Sequence, residues 1–289
     1  QKRVLVQDMN CIETLARVDV LCVDKTGTIT QPEMQVKELV LLKDTPRELA
    51  EQILGALYGT RKPDNDTAEA IAKTYGEDPG WTCKEYIPFA SQTKWCGGVF
   101  DRGSFLVGAP EFVLKSRYAE VEEKVGAFLE KGHRVLLLAG YSGELQADYD
   151  ETKAEPMAFV VLHNPVRPQA VETFSYFAQQ GVCIKVISGD NPRTVSAVAQ
   201  MAGIQGAERY IDGRELQEED YEQAVESYTV FGRVTPAQKK GLILALKKRG
   251  HTVAMTGDGV NDLLAMKQAD CSVAMASGAR SAGQVASVV

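Results

Sequence analysis

Three short stretches repeat one design and leave few folds open to this chain. "VLCVDKTGT" (20–28), "CIKVISGDNPRT" (183–194) and "TVAMTGDGVND" (252–262) each run from an apolar strand into a small turn carrying an Asp, then into a helix start. Asn191 with Pro192 opens one intervening helix, which Gly203 closes. Thr235 with Pro236 opens another that runs to "KKRG" at 247–250, with Lys247, Lys248 and Arg249 at its negative end. Strand, helix and strand at these spacings build a parallel sheet with right-handed crossovers. Ligands of such sheets gather at the carboxyl ends of the strands. One Asp there is ordinary turn chemistry, but three on one rim point to a site.

The stretch from 31 to 155 follows another grammar. It holds both Trp residues, a hairpin pattern at 94–110, and amphipathic helix patterns around 47–58, 66–75 and 119–131. The expected plan is therefore α/β, a Rossmann-like parallel sheet interrupted by an inserted α+β domain. Residues 1–32 and 156–289 form the first domain and 33–155 the second. At 289 residues and 44% hydrophobic, the chain has enough apolar matter for two cores.

Composition excludes several roles. A net charge of -7 offers no basic face for nucleic acid. No apolar run nears the roughly 18 residues of a membrane-spanning helix, and no signal peptide precedes the first strand. Six Cys, at 11, 22, 83, 96, 183 and 271, form no CxxC pair. They read as reduced thiols, with Cys22, Cys183 and Cys271 inside buried strands. The abrupt "QKRVLV" start and "GQVASVV" end read as a piece of something longer.

If the three strands are adjacent, Asp24, Asp258 and Asp262 converge. Like charges about 4 Å apart repel by roughly 4 kcal/mol at an effective dielectric near 20, so a cation is needed among them. Oxygen ligands without His or Cys suit Mg²⁺, which keeps waters and binds phosphate oxygens. An ionised carboxylate facing such a phosphate is a nucleophile whose product is an acyl phosphate. Gly27 lets backbone N–H groups approach phosphate, and the hydroxyls of Thr26 and Thr28 add donors. Lys239 fits charge neutralisation; its position beside Lys240 fits a solvated surface Lys equally well.

"DKTGTIT" at 24–30, "SGDN" at 188–191, "RVTPAQK" at 233–239 and "TGDGVND" at 256–262 together resemble the ordered motifs of the P-type cation-transporting ATPases. The catalytic domain of that family has the haloacid dehalogenase-like fold. The resemblance implies that Asp24, in the string that includes Lys25 and Gly27, is phosphorylated. It gives Mg²⁺ to Asp24, Asp258 and the Thr26 carbonyl, phosphate contacts to Thr26, Thr28, Ser188, Gly189 and Asn261, and charge neutralisation to Lys239. Asp262 supports the site, while Asp190 and Arg233 lie toward the nucleotide. Ser188 replaces the more usual Thr and keeps the hydroxyl.

The inserted stretch is similar to the family's nucleotide-binding domain. "FASQTK" at 89–94 implies Phe89 stacked on adenine with Lys94 in the pocket, and "HRVLLLA" at 133–139 implies a phosphate contact from Arg134. "GAPE" at 108–111 supplies Gly108, but Val107 stands where the family has Lys. Glu69 has two readings, an adenine-side residue or, with Asp66, a capping box. Phe89 has simple core packing as its alternative. "NPVR" at 164–167 replaces "DPxR", so Arg167 alone carries over from that motif.

The resemblance further implies ATP as substrate, Mg²⁺ as cofactor, and no nucleic-acid partner. The family's transmembrane and actuator domains would lie outside this stretch, which would be a monomer by itself at the cytoplasmic face of a membrane. Lys2 and Arg3 fit the edge of a preceding span. His133 and His163 lack the following Pro of heavy-metal pumps, which leaves Ca²⁺, Mg²⁺, Na⁺, K⁺, H⁺ or Mn²⁺, with Ca²⁺ the first choice. Two rivals stand beside the pump. A soluble phosphatase of the same fold places a second Asp two residues after the nucleophile, where Thr26 stands here. A non-catalytic nucleotide-binding module would lack one of Asp24, Lys239 or Asp258.

Overall fold

A computed structural model describes residues 4–275 and 280–289. The strands, in chain order, begin with β1 (Val20–Val23), β2 (Gln35–Leu41), β3 (Cys83–Ile87), β4 (Trp95–Phe100), β5 (Gly103–Gly108) and β6 (Arg134–Tyr141). They continue with β7 (Ala154–His163), β8 (Cys183–Ile187), β9 (Tyr210–Asp212), β10 (Val230–Gly232), β11 (Val253–Gly257) and β12 (Cys271–Ala274). The chain divides into two compact units. One comprises residues 1–33, 130–132 and 164–289, and the other 34–129 and 133–163.

In the first unit the strands lie in the order β12-β11-β1-β8-β10-β9, every neighbouring pair parallel. β1 is "VLCV", buried at all four positions. Because strand side chains alternate, Val20 and Cys22 enter one core layer with Phe231 and Met255, whereas Leu21 and Val23 enter the other with Val186 and Val198. A strand covered on both faces has to be apolar throughout. Each such Val or Leu contributes about 1.5–3 kcal/mol on burial. The helices Pro192–Met201 and Pro236–Lys248 start where their caps place them. Asn191 accepts from the Arg193 N–H, and Thr235 shares a capping box with Gln238.

The second unit is a six-stranded antiparallel sheet in the order β2-β7-β6-β5-β4-β3. The helices Arg47–Tyr58 and Asp66–Tyr75 cover one face with Leu54, Leu57 and Ile71. Val113, Val125 and Leu129 pack against the other. Both the parallel sheet and the separate antiparallel one agree with the expected fold class.

Three details depart from expectation. The antiparallel unit runs to His163 instead of ending at 155, because β7 pairs with both β2 and β6. Cys11 and Cys271 are joined in a disulfide rather than both reduced: the helix Asn10–Leu15 sinks Cys11 into the layer that holds Cys271. Cys183, at the start of β8, is exposed rather than buried. Among the described residues no helix is long and apolar enough to cross a membrane.

Candidate active site

Register brings the Asp-bearing turns together. Val23 lies opposite Thr256 on one side and Val186 on the other. Asp24 is therefore level with Gly257 and Ile187, one residue short of Asp258 and Ser188. Directly after β1 the chain turns sharply over Lys25–Ile29, with Thr26 extended (φ -75, ψ 135) and Gly27 left-handed (φ 76). That φ favours Gly, and so does the space: a Cβ on Gly27 would lie 1.6 Å from Asp258 Oδ2. Asp258 is folded directly over the backbone that follows Asp24. Arg167 Nη2 donates to the Gly27 carbonyl at 2.6 Å and pins the turn from behind.

Lys239 is the hub. It is 2% exposed, and its Nζ donates to Asp24 Oδ2 at 2.6 Å and to Asp262 Oδ1 at 2.7 Å. The capping box at Thr235 starts the helix that aims it, so the solvated-surface reading fails. Asp262, 1% exposed, accepts with its second oxygen from the N–H groups of Asp258 and Gly259, both at 3.3 Å. It braces the turn. Lys25, itself buried, pairs with Asp190 Oδ2 at 2.5 Å and is thereby occupied away from Asp24.

The electrostatics follow from burial. Asp24 is pushed above the ordinary Asp range, first by desolvation, against the pull of Lys239 and the Lys25 N–H, with Asp262 adding repulsion. Desolvation works to lower Lys239, but the two carboxylates hold it above a normal Lys. Asp258 is raised to about 6, first by burial and then by the charges of Asp24 and Asp262. One ammonium faces three carboxylates, and the set is short of positive charge.

A hard divalent cation fits that deficit. Asp24 and Asp258 supply two carboxylate donors. Mg²⁺ is bound by one or two, completing its shell with water and phosphate oxygens. Among the described residues no three His, Cys, Asp or Glu side chains gather for a metal held wholly by protein. The hydroxyls of Thr28 and Thr256 are buried with no hydrogen-bond partner among the described residues. Such atoms cost about 1–3 kcal/mol each when unsatisfied, and they suit an anion arriving at the rim. Ser188, just after β8, is buried too, its Oγ accepting from the Asp190 N–H at 3.3 Å; Gly189 and Asn261 lie at the surface of their turns.

A pH test follows from Asp258. Its pKa in the fold exceeds the ordinary 3.8, so the folded chain holds more protons than the unfolded chain between 3.8 and about 6. That contribution is present at the acid end and lost as pH rises through about 6. In metal-free buffer the parent is expected to lose stability relative to Asp258→Asn over this window. Urea unfolding of the pair between about pH 4 and 7 checks it, and a difference that does not change with pH would refute it.

In the antiparallel unit the expected nucleotide-side residues fall into two linked groups. The Lys94 N–H donates to the Ala90 carbonyl at 2.8 Å, and the Ala109 N–H to the Lys94 carbonyl at 3.0 Å, closing the Phe89–Lys94 loop onto Gly108. Gly108 has no room for a Cβ, which would lie 2.3 Å from that of Trp95. Phe89 is 39% exposed, against the core reading, and Lys94 is exposed too. Separately, Arg134 Nη1 donates to Thr67 Oγ1 at 3.0 Å, tying β6 to the helix that carries Glu69. Glu69 is no capping residue: Asn65 caps that helix through the Ala68 N–H, which makes Asp66 its first residue. Val107 is buried in the core with Leu138 and Val160, so the position of the missing Lys is wholly apolar.

Asp190 and Arg233 are joined: the Arg233 N–H donates to the Asp190 carbonyl at 2.7 Å and Arg233 Nη1 to Asp212 Oδ2 at 2.9 Å. Asp212 has no place among the expected residues, yet "YIDG" at 210–213 repeats the pattern of strand, Asp and Gly used to find the others. β9 is three residues long, too short for apolar patterning to mark it.

A parallel sheet with a carboxylate at the end of its central strand, a buried Lys on that carboxylate and a braced acidic turn beside it define a hydrolase-type site. The chain belongs to the haloacid dehalogenase-like hydrolase family, which it matches over residues 18–270. Its relatives include cation-transporting ATPases. It is 45% identical over 297 residues to the calcium-transporting ATPase CtpE of Mycobacterium tuberculosis, and 43% identical over 292 residues to the probable cation-transporting ATPase exp7 of Streptococcus pneumoniae. Both matches cover 100% of this chain but only 36% and 37% of the relatives. The chain thus spans little more than a third of their length, and the resemblance to P-type ATPases holds across all of it.

Proposed function

We propose that Asp24 takes the γ-phosphoryl group of ATP and forms an aspartyl phosphate, as the phosphorylation and nucleotide-binding portion of a cation pump. The observation that carries this is the Asp24–Lys239 contact at 2.6 Å at the end of β1, with an extended Thr26 where a phosphatase has its acid. Asp24 Oδ attacks γ-phosphorus, the bond from phosphorus to the bridging oxygen breaks, and ADP leaves with that electron pair. Lys239 offsets the charge gathering on the transferred group. Thr28 and Ser188 supply hydroxyl donors to its oxygens. Asp24 and Asp258 would hold Mg²⁺, which supplies Lewis-acid stabilisation of phosphoryl oxygens when bound. With no carboxyl group at Thr26 to activate water, the acyl phosphate persists, which favours coupled transport over plain hydrolysis.

In the whole protein the phosphate would drive ion movement through membrane and actuator domains, with this portion at the cytoplasmic face. Ca²⁺ is the ion we favour, in line with the mycobacterial relative named above. Phe89, Lys94, Glu69 and Arg134 would receive the base and phosphates of ATP. Asp24→Asn is expected to abolish acid-stable incorporation of label from γ-labelled ATP. Unchanged incorporation would overturn the assignment, and a parent that takes up no label while binding ATP would favour the non-catalytic module.

A further inference from the structure

We propose that Asp212 is a positioning residue for the nucleotide side of this site, fixing the direction of the Arg233 guanidinium. The proposal rests on the ATP reading above.

Arg233 has a left-handed backbone, φ 51, a conformation that a residue with a Cβ rarely adopts. Something has to hold it there, and three observations identify what does. Gly232 lies opposite Asp212 in the parallel pairing of β10 and β9, and a Cβ on Gly232 would lie 2.3 Å from Pro192 Cα, so β10 has no freedom to slide. The Arg233 N–H is taken by the Asp190 carbonyl, and its side chain by Asp212 Oδ2. Gly213 lies directly against the Arg233 carbonyl, 3.0 Å from where a Cβ would be, and its own carbonyl accepts from Gln238 Nε2 at 2.7 Å. One turn, Asp212–Gly213, thus touches both Arg233 and the residue before Lys239.

The Asp212 carboxylate is built for this duty. It is buried, and it accepts from the Arg214 N–H at 3.0 Å, from Arg214 Nε at 3.1 and 3.2 Å, from Arg214 Nη2 at 2.8 Å and from Arg233 Nη1. Burial alone would raise its pKa; the hydrogen bonds from Arg214 and Arg233 overcome that and keep it ionised. An arginine already oriented by a carboxylate loses less side-chain entropy when it meets an anionic or ribose oxygen. Asp212 gains nothing from the nucleotide itself; it acts through Arg233.

The test separates this from a merely structural role. Asp212→Ser keeps an oxygen to cap the Arg214 N–H but drops the carboxylate on Arg233. In the 289-residue chain with Mg²⁺, this variant and Arg233→Ala are each expected to weaken binding of the β,γ-methylene analogue of ATP about 5- to 10-fold, the worth of one ordinary hydrogen bond. The double variant should bind no more weakly than Arg233→Ala alone. Beryllium fluoride, which reports only on the Asp24 end, should bind Asp212→Ser as it binds the parent. Losses that add in the double variant, or parent-like nucleotide binding by Asp212→Ser, overturn the proposal. So does a joint loss of both ligands with a lower urea midpoint in both Asp212→Ser and Asp212→Asn. A parent that binds no nucleotide analogue sinks the ATP reading itself, whereas a parent that binds it with additive losses sinks only the role of Asp212.

Discussion

Lys239→Met is expected to end phosphate incorporation and to destabilise the chain by about 3–5 kcal/mol, the usual cost of leaving buried charges without their partner. Lys239 is the shared counterion of Asp24 and Asp262, whose oxygens lie 2.6 and 2.7 Å from its Nζ. Met fills the space and supplies no charge, so both carboxylates have to protonate or pull in water. The neighbouring Lys240 is exposed, and Lys240→Met should change stability by less than about 0.5 kcal/mol. Urea unfolding of the two variants side by side decides the matter. Equal midpoints would mean that the buried triad carries no net stabilisation.

Gly27→Ala is the second large effect. The left-handed backbone alone costs about 1–2 kcal/mol for a residue with a Cβ, and the added methyl falls on Asp258 Oδ2. Asp258 has to swing away or the turn has to open. Either shift displaces a carboxylate by about 1 Å or more, and misplacement on that scale costs roughly 10²-fold in rate. Mg²⁺-dependent incorporation of label should fall accordingly while the antiparallel unit keeps its fold. Incorporation at the parent rate would show that Asp258 has no need of its place over Gly27.

Much of this site was legible because its residues follow local rules. An apolar strand that ends on an Asp-Gly turn is a pattern of adjacent residues, and so are the caps at Asn191 and Thr235. What stayed hidden depended on pairing between distant segments. "AFVVL" at 158–162 suits either sheet, and only its hydrogen bonds to β2 and β6 assign it to the antiparallel unit. Asp66 and Glu69 have the spacing of a capping box, but Asn65, one residue earlier, takes the cap because its side chain reaches the Ala68 N–H at 2.9 Å. Lys239 and Lys240 are indistinguishable as letters, and the helix phase set at Thr235 buries one and exposes the other. Asp212 went unnoticed because a three-residue strand has no period to read.

The place of β1 in its sheet also bears on how the chain comes to be folded. β1 is made well before its two neighbours, β8 and β11, which begin only at Cys183 and Val253. Between them the ribosome delivers β2 to β7, a contiguous set that pairs entirely with itself. A greasy strand must therefore wait with both edges open while another sheet is assembled beside it in time. Pairings of such long sequence separation form slowly, and unpaired strand edges are where nascent chains aggregate. The aspartate at the end of β1 meets Lys239 and the acidic turn only after those later segments are made, so a chain halted before Val253 would carry Asp24 without Asp258 or Asp262.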